Sequence, residues 1–598
     1  MTGETVYRRV TRRVRALSGP VRPLPRWLRV VVGLVVTALG VVLVVRPLSS
    51  LTVLGVYVGI SCIVSGVGDL VTRSARDGLR PVVTGVLWTL FGLVVLVWLG
   101  RSVNLLGPAV AVLLVVSGAV RVLDLRRGTT SERVLGALFG LAEMAFGGAA
   151  LLWPDATLLV VALLFGMRCV VFGVSLLWRG VTNRPGRSAS ARVEATHPSA
   201  FRWATGVVLV LVSVATLAVS HQFRQGVPVV DGFYDPPASV PGTPGQLLRQ
   251  EPYAGDLPDG MTAYRILYTT TADDGVPALA SAVVAVPTAA AGKPVPLVAW
   301  AHGTNGVARA CAPSLGPDAV PYRTITPLGS LVAHGWGVVA TDYTGEGTRG
   351  SYPYLIGQGE GRSVLDSVRA ARQLTTIALA PQTVLWGHSQ GGHAALWAGQ
   401  LAPTYAPELT IAGIAAISPA SDPLALAASV ARNPGGLGAS LGISFVLTAY
   451  ARTYPDISLD ATVTPAARPF VKEAAARCTN DPSTLVTVLT GAALGDDPML
   501  TVDPTTGVFA QRLTQNIPLG PWSAPLFIGQ GSADEVVSPA IERAYVDGRC
   551  AAGRPLRFVS YPGRTHMGVM AADSPLPADL VQWTDDRFAG RPQTSTCA

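Results

Sequence analysis

The chain has 598 residues, 49% of them hydrophobic and only 14% charged, where an ordinary soluble protein carries about 25% charge. That composition excludes a disordered polyelectrolyte and places part of the chain in lipid. Net charge is +9, but residues 1–221 hold 23 arginines against 8 acidic residues, while residues 222–598 hold 23 basic against 29 acidic ones. The positive charge lies between hydrophobic runs and not on one basic folded face, so no nucleic-acid partner is expected.

Windows of about 19 residues with unbroken apolar character mark seven spans. They are Leu28 to Val45, Leu51 to Val71, Pro81 to Leu99, Leu105 to Val122, Val134 to Trp153, Leu158 to Leu177 and Trp203 to Ser220. Arginines crowd before the first span (Arg8, Arg9, Arg12, Arg13, Arg15, Arg22 and Arg26) and after the second, fourth and sixth, whereas the alternate loops hold little more than Arg46 and Arg101. The positive-inside rule then puts the amino terminus, residues 1–27, in the cytoplasm. Residues 181–202 form a cytoplasmic loop, and an odd number of crossings leaves everything after Ser220 outside. No cleavable signal peptide is expected, because further hydrophobic segments follow the first closely.

The first six spans repeat as hairpins with a period of about fifty residues, seen when Gly66, Gly118 and Gly173 are aligned. Pro47 and Pro154 each stand nineteen positions before their glycine, at an outer turn. On these features residues 28–180 resemble the HdeD family of small bacterial membrane proteins, a likeness that carries no enzymatic site. Glu143 and Arg168 fall near the middle of spans five and six at similar depth. They read as a buried structural pair more readily than as an ion path, and Asp69 and Arg121 take the same reading.

From His221 a stretch rich in Pro, Gly and Val reads as a linker, to residue 246. Beyond it, strand-length runs alternate with helix-length segments: Arg265 to Thr270, Ala280 to Val286, Leu297 to Ala301, Gly337 to Thr341, Val384 to Trp386, Ile411 to Ile417, Leu526 to Ile528 and Leu556 to Ser560. Such alternation predicts an α/β domain with a mostly parallel sheet.

Gly387-His388-Ser389-Gln390-Gly391 follows one strand and precedes a helical pattern, the setting of the G-x-S-x-G nucleophile elbow. A serine hydroxyl is a weak nucleophile at neutral pH and needs a base, which in turn needs an orienting carboxylate. Asp534 and His566 each stand in a loop just after a strand, in the order Ser, Asp, His. Apart from His393 on the elbow helix, His566 is the only histidine after Ser389. Asp422, after the strand ending at Ile417, is the rival acid. The backbone N–H groups of Gln390 and of Thr304, in Trp300-Ala301-His302-Gly303-Thr304-Asn305-Gly306, are the expected oxyanion donors. His302 is read as shaping that loop and not as the base.

With Ala340-Thr341-Asp342-Tyr343-Thr344-Gly345-Glu346-Gly347, these motifs make residues 247–595 similar to the secretory lipase family, which includes fungal lipase A. The resemblance implies an α/β-hydrolase core, a helical cap inserted at about residues 418–523, a Ser-Asp-His triad and hydrolysis of carboxylic esters, often acylglycerols. The fold class expected for the whole chain is therefore an α-helical transmembrane domain of seven spans followed by an α/β-hydrolase domain with an inserted cap. In the cap, Phe445, Val446, Leu447 and Tyr450, with Leu485, Val486, Val488 and Leu489, read as core stripes more readily than as acyl-site walls.

Cys62 and Cys169 lie within spans and read as packing residues. Cys311, Cys478, Cys550 and Cys597 form an even set in the exported part, where three pairings are open. The preferred one joins Cys311 to Cys478 and Cys550 to Cys597, in keeping with the comparable cap and terminal arrangement of the resembling family. No cluster has zinc spacing and no phosphate-binding P-loop is present, so neither metal nor cofactor is expected. The expected partners are a lipid or other ester substrate and, through the seven helices, membrane lipids. The expected function is a membrane-anchored serine lipase or esterase acting on the outer side. Two other readings stand beside it: an acyltransferase delivering the acyl group to an envelope lipid or sugar with the same triad, and a non-enzymatic membrane scaffold with a degenerate hydrolase attached.

Overall fold

In the computed structural model the residues described are 26–45, 80–97, 99–123, 130–152, 200–224, 228–290, 292–432 and 437–597, with scattered positions between 56 and 70 and between 166 and 182. The chain divides into two compact units, Met1–Thr216 and Leu217–Ala598.

The first unit is helical: α1 (Arg26–Val45), α2 (Arg80–Val97), α3 (Leu99–Leu123), α4 (Thr130–Leu152) and α5 (Ala200–Arg224), the last running past the unit's end. Among the described residues one stretch, Arg133–Leu151, is long and apolar enough to cross a membrane, and Val30–Val45, Gly85–Val97, Leu114–Leu123 and Gly206–Ala218 are shorter apolar stretches. Large apolar side chains such as Leu34, Val35, Leu90, Val94, Val97 and Leu211 are exposed, while Ala111, Ala142 and Ala150 are buried. Small residues are thus among the buried positions, together with Leu43, Val95 and Leu135, while many bulky side chains face out, unlike a water-soluble bundle.

Glycines mark where these helices touch. A Cβ at Gly40 would lie 2.6 Å from the Gly166 carbonyl oxygen, one at Gly66 2.5 Å from that of Gly85, and one at Gly140 2.8 Å from that of Gly118. Gly173 opposes Gly33, and Gly92 opposes Gly59, in the same manner. In terms of the seven expected spans, these contacts join the second to the third, the fourth to the fifth, and the sixth back to the first. Close packing thus links successive hairpins. Glu143 pairs at 3.2 Å with Arg121 on α3 and accepts from the Ser117 hydroxyl at 3.2 Å. The charge expected to meet Arg168 is thus neutralised by Arg121, and Arg168 itself lies outside the described residues.

The second unit is built on a nine-stranded sheet in the order β1-β2-β3-β5-β4-β6-β7-β8-β9. Its strands are β1 (Leu247–Pro252), β2 (Met261–Thr271), β3 (Pro277–Pro287), β4 (Val295–Ala301), β5 (Gly337–Thr344), β6 (Leu379–His388), β7 (Thr410–Ile417), β8 (Leu526–Gly531) and β9 (Arg557–Tyr561). The first three pair antiparallel, as does β3 with β5, and all pairs from β5 to β9 are parallel. Every strand expected from the sequence is present. The addition is β1, an edge strand whose Arg249, Gln250 and Glu251 break the apolar run that would have announced it.

The helices of this unit are α6 (Leu331–His334), α7 (Gly357–Ala371), α8 (Gln390–Tyr405), α9 (Pro423–Arg432), α10 (Leu437–Thr453), α11 (Leu459–Thr462), α12 (Arg468–Ala476), α13 (Thr484–Leu494), α14 (Gly507–Gln515), α15 (Pro539–Ala551) and α16 (Leu576–Phe588). Val298 and Trp300 of β4 and Val384 and Trp386 of β6 alternate along their strands and join Leu580 and Trp583 of α16 in one buried cluster. The six helices α9 to α14 fill the insertion between β7 and β8 and form the cap.

One boundary needs correcting. Residues from Pro228 onward, read as linker, are folded against the sheet: Tyr234 is fully buried and bonds Ser314 at 2.6 Å, and Arg265 lies over the Phe233 and Tyr234 rings. Two aromatic side chains with an arginine to stack on give this Pro- and Gly-rich stretch enough burial to be ordered. Both disulfides form as preferred, Cys311–Cys478 and Cys550–Cys597.

Candidate active site

Strand β6 is buried from Thr383 to His388 and runs into Ser389, whose φ of 59° and ψ of −122° make a sharp turn before α8 begins at Gln390. A serine held at positive φ is strained backbone, and the turn survives because the residues around it leave no bulk. A Cβ on Gly387 would strike the Gly391 carbonyl, and one on Gly391 would strike the Ala301 carbonyl. The Ser389 N–H donates to the Ile417 carbonyl at 2.9 Å, tying the elbow to the neighbouring strand.

Asp534 stands three residues after β8, and His566 five residues after β9. The His566 Nδ1 donates to Asp534 Oδ2 at 2.9 Å, and this leaves Nε2 unprotonated in the neutral ring. Asp534 also accepts from Gln530 Nε2 at 3.0 Å and from the backbone N–H groups of Val536 and Val537 at 2.9 and 2.8 Å. Burial works to raise its pKa, but the bonds from His566 and from those two N–H groups outweigh it and hold the carboxyl below its usual range. It is therefore an ionised acceptor at neutral pH. The rival acid does not come near the imidazole by any hydrogen bond: Asp422 accepts from the Ala425 N–H at 2.9 Å, as the cap of α9.

Ser389, Asp534 and His566 line one cavity of about 1260 Å³, together with Thr304 and Gln390. Its volume exceeds the ~300–1,000 Å³ of an ordinary small-molecule pocket. Among the described residues the Ser389 hydroxyl makes no hydrogen bond, an open arrangement common before substrate closes a catalytic site. Neither the Gln390 nor the Thr304 N–H donates to an acceptor among the described residues, so both remain available to a developing oxyanion.

Several supporting groups carry no sequence signal. His388 occupies the variable position before the serine, yet its Nε2 lies 3.0 Å from the His566 carbonyl and its ring 4.7 Å from the His566 ring. Burial first, and then the neighbouring His566, push His388 down to about 3, so it stays neutral and donates to that carbonyl. The Glu535 carboxylate accepts from the His566 N–H at 3.1 Å. His302 takes the structural place expected of it. It is buried, its Nδ1 lies 2.6 Å from the Gly303 carbonyl, its own carbonyl accepts from Tyr343 at 3.0 Å, and burial lowers it to about 4. The Cys311–Cys478 disulfide and the Thr479 N–H, bonded to the Asn305 carbonyl at 2.8 Å, fasten the cap to the same loop. No group of metal-ligating side chains occurs among the described residues.

Both parts of the chain are similar to known proteins. The secretory lipase family model matches residues 323–596, and a short repeat of unknown function (DUF308) matches three times, at 31–81, 83–151 and 138–218. A protein of Mycobacterium tuberculosis named a probable inactive lipase is 29% identical over 401 residues, covering 63% of this chain and 86% of that protein. Lipase A of Moesziomyces aphidis is 25% identical over 390 residues, covering 61% and 81%. The crystal structure of Candida antarctica lipase A in its closed state superposes with a TM-score of 0.52 at 24% identity, over 62% of this chain and 88% of that one, a likeness of fold. The C-terminal part is thus similar to secretory lipases and has a lipase- or esterase-type α/β-hydrolase fold, and a DUF308 repeat region precedes it.

Proposed function

We propose that this lipase-type domain hydrolyses carboxylic esters of lipids through an acyl-enzyme on Ser389. In this reading His566 Nε2 takes the hydroxyl proton as Ser389 Oγ attacks the ester carbonyl carbon. The oxyanion that results accepts from the N–H groups of Gln390 and Thr304, each donor being worth about 3–4 kcal/mol in the transition state. Collapse breaks the bond to the alcohol, which leaves with the proton from His566. Water, deprotonated by the same imidazole, then releases the acid and restores Ser389. Asp534 holds the ring in the tautomer this requires and stabilises the imidazolium between steps.

The observation that carries the reading is the Asp534–His566 bond facing the cavity that the Ser389 elbow lines. Because one relative is named a probable inactive lipase, turnover itself is the question to test. Full-length protein in detergent should cleave p-nitrophenyl butyrate, and Ser389→Ala should abolish this with the melting temperature unchanged. Undiminished hydrolysis by that variant would refute the mechanism.

The membrane assignment belongs to the same proposal. The repeat region, the outward-facing Val and Leu side chains and the arginine-rich alternate loops support seven spans, six in an HdeD-like domain and the seventh as an anchoring helix. This gives a cytoplasmic amino terminus and a hydrolase domain on the outer side, where the two disulfides persist.

A further inference from the structure

Two hydrogen-bonded paths run from the oxyanion loop and the elbow into the same short segment, residues 352–355, between β5 and α7. The Gln390 side chain, on the residue that offers one oxyanion donor, gives both amide hydrogens away: to the Tyr352 hydroxyl at 2.8 Å and to Glu360 Oε1 at 2.8 Å. Thr304, which offers the other donor, bonds through Oγ1 to the Tyr354 hydroxyl at 2.7 Å. Leu355 is held at a φ of 52°, a strained value for leucine, with its N–H on Glu360 Oε1 at 3.0 Å and its carbonyl accepting from Tyr450 of the cap helix α10 at 2.9 Å.

Glu360 is the hub of this arrangement. It sits fully buried in the first turn of α7. Oε2 lies 2.6 Å from His393 Nδ1, and His393 Nε2 lies 2.7 Å from the Asn516 carbonyl. A carbonyl can only accept, so the His393 Nε2–H donates to it. His393 stands on α8 three residues beyond Gln390. Glu360 therefore grips the elbow helix at two side chains, and its need for donors sets which end of the Gln390 amide faces it.

We propose that Tyr352–Leu355, clamped by Glu360, is a bracket that holds the Thr304 and Gln390 N–H groups in register for the oxyanion, with Tyr354 and Glu360 as its positioning residues. The inference rests on the ester-hydrolase reading. It assigns a role to a segment that touches both sides of the oxyanion site at once, and displacement of about 1 Å at such a site costs on the order of 100-fold in rate.

The test uses full-length protein in detergent with p-nitrophenyl butyrate as substrate and an aryl trifluoromethyl ketone as probe. The ketone carbon is attacked by Ser389 to give a tetrahedral adduct whose oxyanion needs the same two donors. Tyr354→Phe and Glu360→Gln should each lower kcat about tenfold or more with KM within about twofold. The ketone should bind more weakly by a comparable factor, at unchanged protein concentration corrected for folded fraction. A residue that merely stabilises the fold would lower the melting temperature without this split. Unchanged kcat, or a rise in KM alone, overturns the bracket. Should Glu360→Gln fail to fold, Tyr354→Phe decides the matter by itself, since it removes one oxygen. Wild-type protein with no turnover and no ketone binding would sink the hydrolase reading and the bracket with it. A working wild type with indifferent variants sinks the bracket alone.

Discussion

At the scale of single residues, two buried imidazoles make the fold sensitive to acid, while buried carboxyls such as Asp273 and Glu542, pushed up by burial to about 7 and about 8, act in the opposite sense. His388 and His302 are held down to about 3 and about 4, chiefly by burial, whereas an unfolded chain takes up those protons near pH 6.5. Between these values the unfolded chain carries these two protons and the folded one does not, so the imidazoles' contribution to stability falls as pH is lowered through that window. Each group contributes about 1.4 kcal/mol per pH unit within it. Urea unfolding followed by tryptophan fluorescence should show His388→Gln gaining stability relative to the wild type as pH falls from 7 to 4.5. A difference between the two proteins that stays constant over this range would contradict the burial described. Ser389, Asp534 and His566 were legible because catalysis demands those residue types at the ends of particular strands. Glu360 and His388 were not, since their meaning comes from partners such as Gln390 and the His566 carbonyl, placed beside them only by the folded sheet.

At the scale of elements, the repeated glycines were visible in the sequence but their partners were not. Spacing aligns Gly66, Gly118 and Gly173 as equivalent positions, yet which helix each one meets depends on how the hairpins assemble. The contacts of Gly66 with Gly85 and Gly118 with Gly140 bring backbones together, so bulk there must push helices apart. Gly118→Leu should convert the purified protein from a single species to a broad aggregate on size exclusion in mild detergent. Gly136→Leu, at a glycine with nothing near its would-be Cβ, should leave the profile unchanged. Equal behaviour of the two variants would remove the packing role. In the hydrolase domain the alternating apolar runs announced eight strands, while β1 and the Tyr234 strap escaped notice. Polar or Pro-rich sequence conceals an element that is ordered by partners distant in the chain, here the β2 edge and Arg265.

At the scale of the whole molecule, composition and charge divide the chain near residue 220, and the compact units divide at Thr216. The hydrophobic half carries the repeats and the arginine-rich loops, and the acidic half carries the elbow, the disulfides and the cavity. On the proposed reading, an activated serine is displayed on the outer face of a membrane. Intact cells treated with a membrane-impermeant fluorophosphonate, followed by mass spectrometry of the peptides, test it in a single step. The phosphonyl adduct is expected on Ser389, absent from Ser389→Ala and formed without breaking the cells. An unmodified Ser389 in protein that still hydrolyses esters, or labelling only after lysis, would contradict it.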